Sequence, residues 1–584
     1  MNSMFFAALS FCFSPARFTR SLFREVLVAC FVSFSCGVVP PVLAESMTYR
    51  GSSGDLQDAP AYLGGGSKNT LAPAGYARIT DNTITIDYTV GNGNANPTHV
   101  LGGYSNSVGA VAENNSIILK NGLVTGGLFG GRSVSGNATN NTVSVSGGIV
   151  NGWIYGGNSV SGNATGNAVT ISYGTVHHVR GGRSVSGTAT NNTVTVSDGT
   201  VDMVIGGFSD HDVTENKVGV SGGTMNGTVS GGLSERGRAT GNTVIVSGGT
   251  VDGSVYGGLS YESTATGNTA TISGGTVNSY VYGGFSKHDV TKNAVNVSGG
   301  SVNGTVSGGD SSDDGTATGN TVTINGGTLR DPVSGGRSNR GSATNNTVTI
   351  SGGTMNGMVY GGLSYEGTAT GNIVTISGGT LRDLVSGGSS NRGSATNNTV
   401  TISGGTVRGG VSGGDSLGSG NATGNTVTLE NTAIGKEIVG GAGVHYGGTA
   451  TGNTVTLAGE ITFISFVDIL GGRSVIVSGN TLNLVHFRQA GNSINDLLGF
   501  DNVHFSGLEA GQTSAILTAA NVNLDNSRTT LQFDGKPGTV KLIEATNLRT
   551  VNARIDPVEY GGVRYGFYWD SDGNAVAGNS GVGE

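Results

Sequence analysis

Residues 346–364 read Asn-Thr-Val-Thr-Ile-Ser-Gly-Gly-Thr-Met-Asn-Gly-Met-Val-Tyr-Gly-Gly-Leu-Ser, one copy of a motif that recurs along the middle of the chain. A short variable stretch follows, and Ala369-Thr-Gly-Asn372 then begins the next copy. The second Gly-Gly pair of the motif begins at residues 156, 181, 206, 231, 257, 283, 308, 335, 361, 387, 413 and 440, in steps of 25 to 27 residues. Such a period is too short for an independent globular fold and is typical of one coil of a solenoid.

Alternation within the copy predicts a strand with one buried face. Asn346, Val348 and Ile350 alternate with Thr and Ser residues, and a period of two places the first set inside and the second set in solvent. Gly352 and Gly353 predict a sharp corner, since glycine accepts a positive φ. Three short strands and three turns in each copy predict one rung of a parallel β-helix.

The predicted fold class is therefore all-β, a right-handed parallel β-helix of roughly 14 rungs with β caps at both ends. We assign the regular helix to residues 101–485, and an N-terminal cap with the first irregular rungs to residues 45–100. The repeat disappears after about residue 485, so residues 486–584 are predicted to form a C-terminal β cap. Caps are expected because the ends of a solenoid expose unpaired strand edges.

An asparagine at the start of the first strand recurs in every copy. The positions are Asn141, Asn167, Asn192, Asn216, Asn242, Asn268, Asn293, Asn320, Asn346, Asn372, Asn398, Asn425, Asn453 and Asn480. A buried amide is costly unless it is hydrogen-bonded. Stacked rungs about 4.7 Å apart would let each amide bond to the next, so we predict a structural asparagine ladder.

The first 44 residues differ from the rest and predict export. Arg17, Arg20 and Arg24 precede an apolar run, and Val42-Leu43-Ala44 offers a small-residue cleavage site. This is the pattern of a secretory signal peptide, residues 1–44, cut after Ala44. All three cysteines fall within it, so the exported chain would need packing and hydrogen bonds in place of disulfides.

Charge excludes one class of partner. The formal charge of −8 becomes −10 without the three arginines and the glutamate of the signal peptide. Nucleic acid is not expected as a partner, because phosphate binding needs clustered Lys and Arg.

Variation concentrates in the segment between the motif's last Ser and the Ala-Thr pair. Stacked rungs would align these segments into one line along the rod, and loops on a rigid scaffold are where binding residues gather. We call this line the recognition stripe; its members are Asp210, His211, Asp212, Glu235, Arg236, Tyr261, Glu262, Lys287, His288, Asp289, Asp313, Asp314, Arg340, Tyr365, Glu366 and Arg392. The alternative is that these are only solvated turns that keep the rod soluble.

No catalytic set, cofactor site or metal site is predicted. Asp210, His211 and Asp212 lie on one turn without a second cluster of ligands, which does not favour a metal. Gly309-Asp-Ser311 and Gly414-Asp-Ser416 occupy a slot that the repeat fills in every rung, so they do not indicate a nucleophile.

Paired outward threonines suggest a remote alternative. Thr347 and Thr349, with their counterparts in other rungs, would form a flat Thr-x-Thr face that resembles those of some ice-binding proteins. Lys217, Ile245 and Asn296 interrupt it, and Thr suits any exposed strand.

Taken together, these residues resemble the passenger region of a bacterial autotransporter (type V secretion). The resemblance lies in the extended signal peptide, the cysteine-free exported chain, the Asn-Thr-Val-Thr-Ile-Ser-Gly-Gly-Thr rungs and the non-repeating β region from about 490 to 560. It implies a passenger that is threaded through an outer-membrane barrel and often acts as an adhesin. Because no series of about ten-residue alternating strands follows, we expect the chain to lack the C-terminal translocator barrel, or the barrel to be encoded elsewhere.

The resulting expectation is an exported, non-enzymatic β-helical stalk at the cell surface, associated with the outer membrane, or in the extracellular medium. As an adhesin or autotransporter passenger it would present its stripes to a host or cell-surface glycan or protein. The alternative is a polysaccharide-active β-helix enzyme. Such enzymes interrupt their rungs with long loops, whereas the steps here are nearly constant.

Overall fold

The computed structural model describes the backbone of residues 46–49, 62–64, 78–87, 99–105, 109–443, 448–508, 514–524, 528–533, 540–551, 554–556, 558–560, 563–569 and 575–579. Every regular element in these ranges is a β-strand. All but the last few strands are stacked in parallel into a β-helix of about 16 turns, which confirms the predicted fold class. No helical segment capable of spanning a bilayer occurs among the described residues. The predicted signal peptide, residues 1–44 with its cleavage site at Ala44, lies outside them.

One rung contains four strand positions, which we call A to D. In the rung that begins at Asn346 they are Thr347–Ile350, Thr354–Met355, Val359–Ser364 and Ala369–Thr370. The prediction of three strands was wrong by one: position D has only two residues, too few to show a period.

The strands that occupy each position are as follows. Position A holds Ser46–Tyr49, Thr83–Asp87, Ser116–Asn121, Thr142–Val145, Ala168–Ile171, Thr193–Val196, Lys217–Val220, Thr243–Val246, Thr269–Ile272, Ala294–Val297, Thr321–Ile324, Thr347–Ile350, Ile373–Ile376, Thr399–Ile402, Thr426–Glu430, Asn502–Leu508, Arg528–Phe533 and Arg554–Asp556. Position B holds Leu123–Val124, Thr224–Met225, Thr250–Val251, Thr276–Val277, Ser301–Val302, Thr328–Leu329, Thr354–Met355, Thr380–Leu381, Thr406–Val407 and Ala433–Ile434. Thr454–Phe463 and Thr481–Gly491 span positions A and B, and Ile149–Ser159, Thr175–Ser184 and Thr200–Ser209 span positions B and C.

The remaining parallel strands belong to positions C and D. Position C holds Tyr62–Gly64, His99–Ser105, Leu128–Ser133, Val229–Ser234, Val255–Ser260, Val281–Ser286, Val306–Ser311, Val333–Ser338, Val359–Ser364, Val385–Ser390, Val411–Ser412 with Asp415–Ser416, Ile438–Val439 with Ala442–Gly443, Val467–Leu470, Ile494–Leu498, Leu517–Leu524 and Val540–Val551. Position D holds Arg78–Thr80, Val111–Glu113, Ala138–Thr139, Ala164–Thr165, Ala189–Thr190, Val213–Thr214, Ala239–Thr240, Ala265–Thr266, Val290–Thr291, Ala317–Thr318, Ala343–Thr344, Ala369–Thr370, Ala395–Thr396, Ala422–Thr423, Thr449–Thr451 and Ile476–Ser478.

Equivalent residues stack in register from rung to rung. Val322 pairs with Val348, and Val348 pairs with Val374. The alternation predicted for position A is confirmed, with Val348 and Ile350 fully buried and the intervening threonines partly exposed. Stacked Val, Ile, Leu and Met side chains form one continuous core from Ile84 to Ile543. Each fully buried side chain of this kind stabilises the fold by about 1.5–3 kcal/mol.

The predicted asparagine ladder is confirmed. The Asn268 side-chain Nδ2 donates to Asn293 Oδ1 at 3.0 Å and to the Ala239 carbonyl oxygen at 2.9 Å, and the Asn268 backbone N–H donates to the same Asn293 Oδ1 at 2.9 Å. All of these groups are inaccessible to solvent. The ladder satisfies a buried column of amides without any water.

Asn82 and Asn115 extend this ladder by two rungs beyond the 14 predicted. They are 33 residues apart, a longer step than the 25–27 residues of the regular repeat. The longer step explains why Asn82 falls outside a fixed period, whereas Asn115 lies a regular 26 residues before Asn141.

The two Gly-Gly pairs of a rung have different structural roles. Gly353 has φ of 89° and makes the predicted corner. Gly361 and Gly362 instead lie within a position C strand, where an added Cβ would overlap the next rung's backbone and the Asn372 side chain. The second pair therefore lets position C strands approach the ladder closely.

Parallel stacking continues across residue 485. Asn502–Leu508 pairs in parallel with Thr481–Gly491, and the position A column runs on to Arg554–Asp556. The last strands are antiparallel: Ala575–Asn579 pairs with Val540–Val551 and with Val563–Trp569, which in turn pairs with Val558–Tyr560. The boundary proposed at residue 485 stays a prediction; it separates regular from irregular rungs within one parallel stack.

Candidate binding groove on the outer face

The recognition stripe lies in the turns that join position C to position D. The strands on both sides of each turn pair in register, so the turns stack along the rod. Most of the stripe side chains are exposed, and Asp210, Glu235, Asp313 and Tyr365 are half-buried. Whether the stripe recognises a partner stays a prediction.

Several stripe residues bond to one another across adjacent rungs. Arg340–Asp313 (2.8 Å) and Arg392–Glu366 (2.8 Å) are ion pairs, and His288 Nδ1 is hydrogen-bonded to Asp314 Oδ1 at 3.0 Å. Their side chains are largely exposed, and exposed pairs contribute little to stability. Because these side chains bond to one another, the part of the stripe from His288 to Arg392 is a weaker candidate for attracting a charged ligand.

Two aspartates of the stripe act on the backbone of the next rung. Asp212 Oδ1 accepts a hydrogen bond from the Arg238 backbone N–H at 2.8 Å, and Asp289 Oδ1 accepts one from the Thr316 backbone N–H at 2.8 Å. Their carboxylates fasten one turn to the next. Among the described residues no group of three or more His, Cys, Asp and Glu side chains is placed to hold a metal ion.

A groove of about 590 Å³ lies beside the first turns of the stripe. Four stripe residues form part of its lining: Asp210, Glu235, Arg236 and Glu262. The other lining residues come from the three strands that span positions B and C, and they are Trp153, Tyr155, Arg180, Arg183 and Phe208. The sequence prediction identified the stripe side of this groove and missed the aromatic and basic side.

The groove floor consists of outward-facing residues of position C. In this position the residues on either side of the Gly-Gly pair point away from the core, as Arg180 and Arg183 do around Gly181-Gly182. Rungs further along place Ser at the first of these sites, for example Ser307 and Ser334. Comparing this slot between rungs would have shown the change from Ser to aromatic and basic residues.

Arg180 is held between two aromatic rings in the floor. Its guanidinium carbon lies 4.5 Å from the ring centre of Trp153 and 3.7 Å from that of Phe208. The residue is only 9% exposed, and its Nε atom has no hydrogen-bond partner. Burial lowers the pKa of Arg180 to about 10, so the group is still charged at neutral pH. Cation–π contacts offset part of the cost of burying this charge, but they leave the Nε–H donor without an acceptor.

Trp153 presents an aromatic surface to solvent. It is 37% exposed, stacks nearly parallel to Tyr155 with ring centres 5.9 Å apart, and contacts the His178 ring at 4.4 Å. The neighbouring rings fix its orientation. A fixed, partly exposed indole is suited to binding an amphipathic ligand.

Another arginine of the same outer face shows a completed arrangement. Arg337 Nη1 donates to Asp310 Oδ2 at 3.2 Å, and Arg337 Nη2 donates to the phenol oxygen of Tyr365 at 3.3 Å. Burial raises the pKa of the Asp310 carboxyl, which is 3% exposed. Among the described residues no carboxylate is in ion-pair contact with Arg180; the Glu235 carboxylate of the same groove acts on it only at longer range and partly offsets the effect of burial on the pKa of Arg180.

Apolar side chains continue the outer face along the rod beyond the groove. Ile205, Phe208, Leu233 and Leu259 form a small cluster separate from the main core, with Phe285 packed against it. Tyr280, 46% exposed, stacks on Tyr282 with ring centres 5.8 Å apart. Ile205, Phe208, Leu233 and Leu259 are themselves buried, so Tyr280 is the ring that this part of the outer face presents to solvent.

The Thr-x-Thr face lies on position A. Its columns stack in register, and Lys217, Ile245 and Asn296 interrupt them as the sequence indicated. Ice binding by this face stays a prediction.

No protein-family model, curated protein or solved structure matches the chain. The functional argument therefore depends on the arrangement of its own residues.

Proposed function

We propose that the protein is an exported, non-enzymatic β-helical stalk that works as an adhesin of the autotransporter-passenger type. It would lie at the cell surface or in the extracellular medium and hold a glycan or protein ligand in the groove. Its parallel stacking gives a long scaffold on which short turns and outward side chains vary without disturbing the core.

The observation that carries the proposal is the unpaired Arg180 in the floor of an open, aromatic-lined groove. A buried cation without a carboxylate partner is unfavourable for folding alone. Arg337, which follows its Gly-Gly pair as Arg183 does, is by contrast paired with an aspartate of the neighbouring rung. A groove that keeps the cation unpaired is better explained by binding than by stability.

The nearly constant length of the rungs favours binding over catalysis. Steps of 25 to 27 residues allow no long loops to close over a substrate and exclude water around a reacting bond. An open groove with a fixed floor is suited to holding an extended ligand.

Two experiments test this proposal. The first measures binding of the full chain to a glycan array and to immobilised host-cell surface proteins, and the second screens the chain for polysaccharide degradation. We expect binding that Trp153→Ala abolishes. Tyr173→Ala is the matched control, because Tyr173 is 62% exposed and lies outside the groove. Cleavage of any glycan would contradict the non-enzymatic stalk. Binding that both variants leave intact would contradict the placement of the ligand in the groove.

A further inference from the structure

We propose that the groove binds a glycan chain that carries a carboxylate on one of its sugar units. Arg180 and Arg183 would hold the carboxylate, and the exposed face of Trp153 would stack on the sugar ring. This inference rests on the proposed function, since it names the ligand class of the same groove.

The Nε–H donor of Arg180, which has no acceptor, points to a planar anion. A guanidinium offers a fixed fork of N–H groups that matches a carboxylate bidentately. In this groove the aromatic rings of Trp153 and Phe208 contact Arg180 at 4.5 Å and 3.7 Å and so restrict its orientation before any ligand arrives. Arg183, which is half-buried, lies on the same strand and lines the same groove, so it adds a second positive charge. A preorganised cation of this kind loses little conformational entropy on binding.

The aromatic lining points to a sugar ring next to that anion. Sugars present C–H groups on one face and hydroxyls around the edge, and a flat aromatic ring packs against the C–H face. Trp153 has an exposed face held by Tyr155 and His178. Further along the rod, Tyr280 is 46% exposed and is stacked on Tyr282, so it offers a second ring to a chain of several sugar units.

The acidic side chains of the lining distinguish a carboxylated sugar from a sulfated one. Asp210, Glu235 and Glu262 are acceptors for sugar hydroxyls. Three basic side chains, Arg180, Arg183 and Arg236, balance these three carboxylates in formal charge, so the groove suits a chain with few anionic groups better than one with several sulfates per sugar pair. A chain with one carboxylate and several hydroxyls per unit satisfies both the basic floor and the acidic wall.

The test uses an array of hexuronate-containing and sialylated glycans, each printed in its native form and as its methyl ester. It also carries neutral and sulfated glycans. We expect the full chain to bind native carboxylated glycans and to lose affinity on the order of 10- to 100-fold for their esters, since a hydrogen bond to a charged group is removed. Equal binding to esters, preference for sulfated chains or failure to bind any carboxylated glycan would overturn the inference. Binding to neutral glycans or to surface proteins alone would overturn it and leave the proposed stalk function standing.

Arg180→Met should reproduce the effect of esterification on the protein side. The control is Arg337→Met, which removes an arginine that already has a carboxylate partner and should leave affinity unchanged within about twofold. Equal losses in the two variants would overturn the role of Arg180.

Tryptophan emission keeps the proposal testable if Arg180→Met fails to fold. The chain has two tryptophans, Trp153 and Trp569. In a Trp569→Phe chain only Trp153 reports, and we expect native carboxylated glycans, but not their esters, to shift its emission. No shift with a glycan that binds would place the ligand elsewhere and overturn the inference.

Discussion

Replacement of Asn320 by alanine tests how the rungs are held together. Asn320 Oδ1 accepts hydrogen bonds from the Asn293 backbone N–H at 3.0 Å and from Asn293 Nδ2 at 3.1 Å, and Asn320 Nδ2 donates to the Val290 carbonyl oxygen at 3.0 Å. All of these groups are buried. Alanine would leave two donors of Asn293 without an acceptor. Each buried unsatisfied group costs about 1–3 kcal/mol, so we expect a loss of about 2–6 kcal/mol in the free energy of unfolding.

An exposed amide ladder provides the matched control. Asn303 Nδ2 donates to Asn278 Oδ1 at 2.7 Å, and Asn278 Nδ2 donates to Asp252 Oδ1 at 2.7 Å, both in exposed turns. Asn278→Ala breaks the same kind of bond between rungs, but water can replace the partner. We expect the free energy of unfolding to change by no more than about 0.5 kcal/mol.

Urea unfolding followed by circular dichroism measures the overall loss, and hydrogen–deuterium exchange at the Asn293 amide measures the local one. The local measurement is needed because long repeat arrays need not unfold in a single step. A cost for Asn320→Ala no greater than that of Asn278→Ala would refute the reasoning. It would mean that burial adds nothing to the value of the ladder.

Three further predictions concern stability. Gly257→Ala should lower the free energy of unfolding by about 1–3 kcal/mol, because the new Cβ would lie 2.7 Å from backbone atoms of the neighbouring position A strand. Gly219→Ala, where no atom lies within 4 Å, should raise it by about 0.5–1 kcal/mol; equal effects in urea unfolding would contradict the packing argument. Burial raises the pKa of Asp415 above its usual 3.8, so the folded state loses stability as pH rises from about 4 through the raised pKa. Asp415→Asn should therefore be more stable than the parent at pH 8 and equal to it below pH 4. A difference in the free energy of unfolding that does not depend on pH would contradict the raised pKa of Asp415. Removing the exposed Arg392–Glu366 pair with Arg392→Met should cost less than about 1 kcal/mol, and less in high salt, by the same unfolding assay; a larger, salt-independent cost would show that the stripe stabilises the rod.

Local sequence determines the interior of a rung. Asn346, Val348 and Ile350 alternate within five residues, and the pattern predicts which side chains are buried without knowledge of any other rung. The repeat then predicts that equivalent residues stack, which is why the bonds from amide to amide in the asparagine ladder could be foreseen. The bonds from Asn268 Nδ2 to the Ala239 carbonyl oxygen and from the Asn268 backbone N–H were not predicted.

Contacts between rungs were harder to foresee. The role of Gly361-Gly362 depends on how closely the next rung approaches, which the sequence of a single rung does not show. Position D was missed because Ala369–Thr370 forms a strand only through pairing with its neighbours in the stack.

The candidate groove was foreseen only on one side. Variable turns can be recognised in the sequence because they differ between copies of the repeat, and Asp210 and Glu235 were identified in that way. Trp153, Arg180 and Phe208 are far apart in sequence, and each stands alone in its own rung. Only stacking about 4.7 Å apart brings them together into one floor.

Hydrogen–deuterium exchange with and without the glycan that binds most strongly is the most direct test of the account. We predict slower exchange on binding in the turns at residues 210–212 and 235–238, which border the groove, and no change in the turn at residues 391–394. That turn lies seven rungs further along the stripe, roughly 33 Å away at the usual strand spacing. Protection confined to the distant turn, or to the position A strands, would contradict the claim that recognition lies in the groove around Trp153 and Arg180.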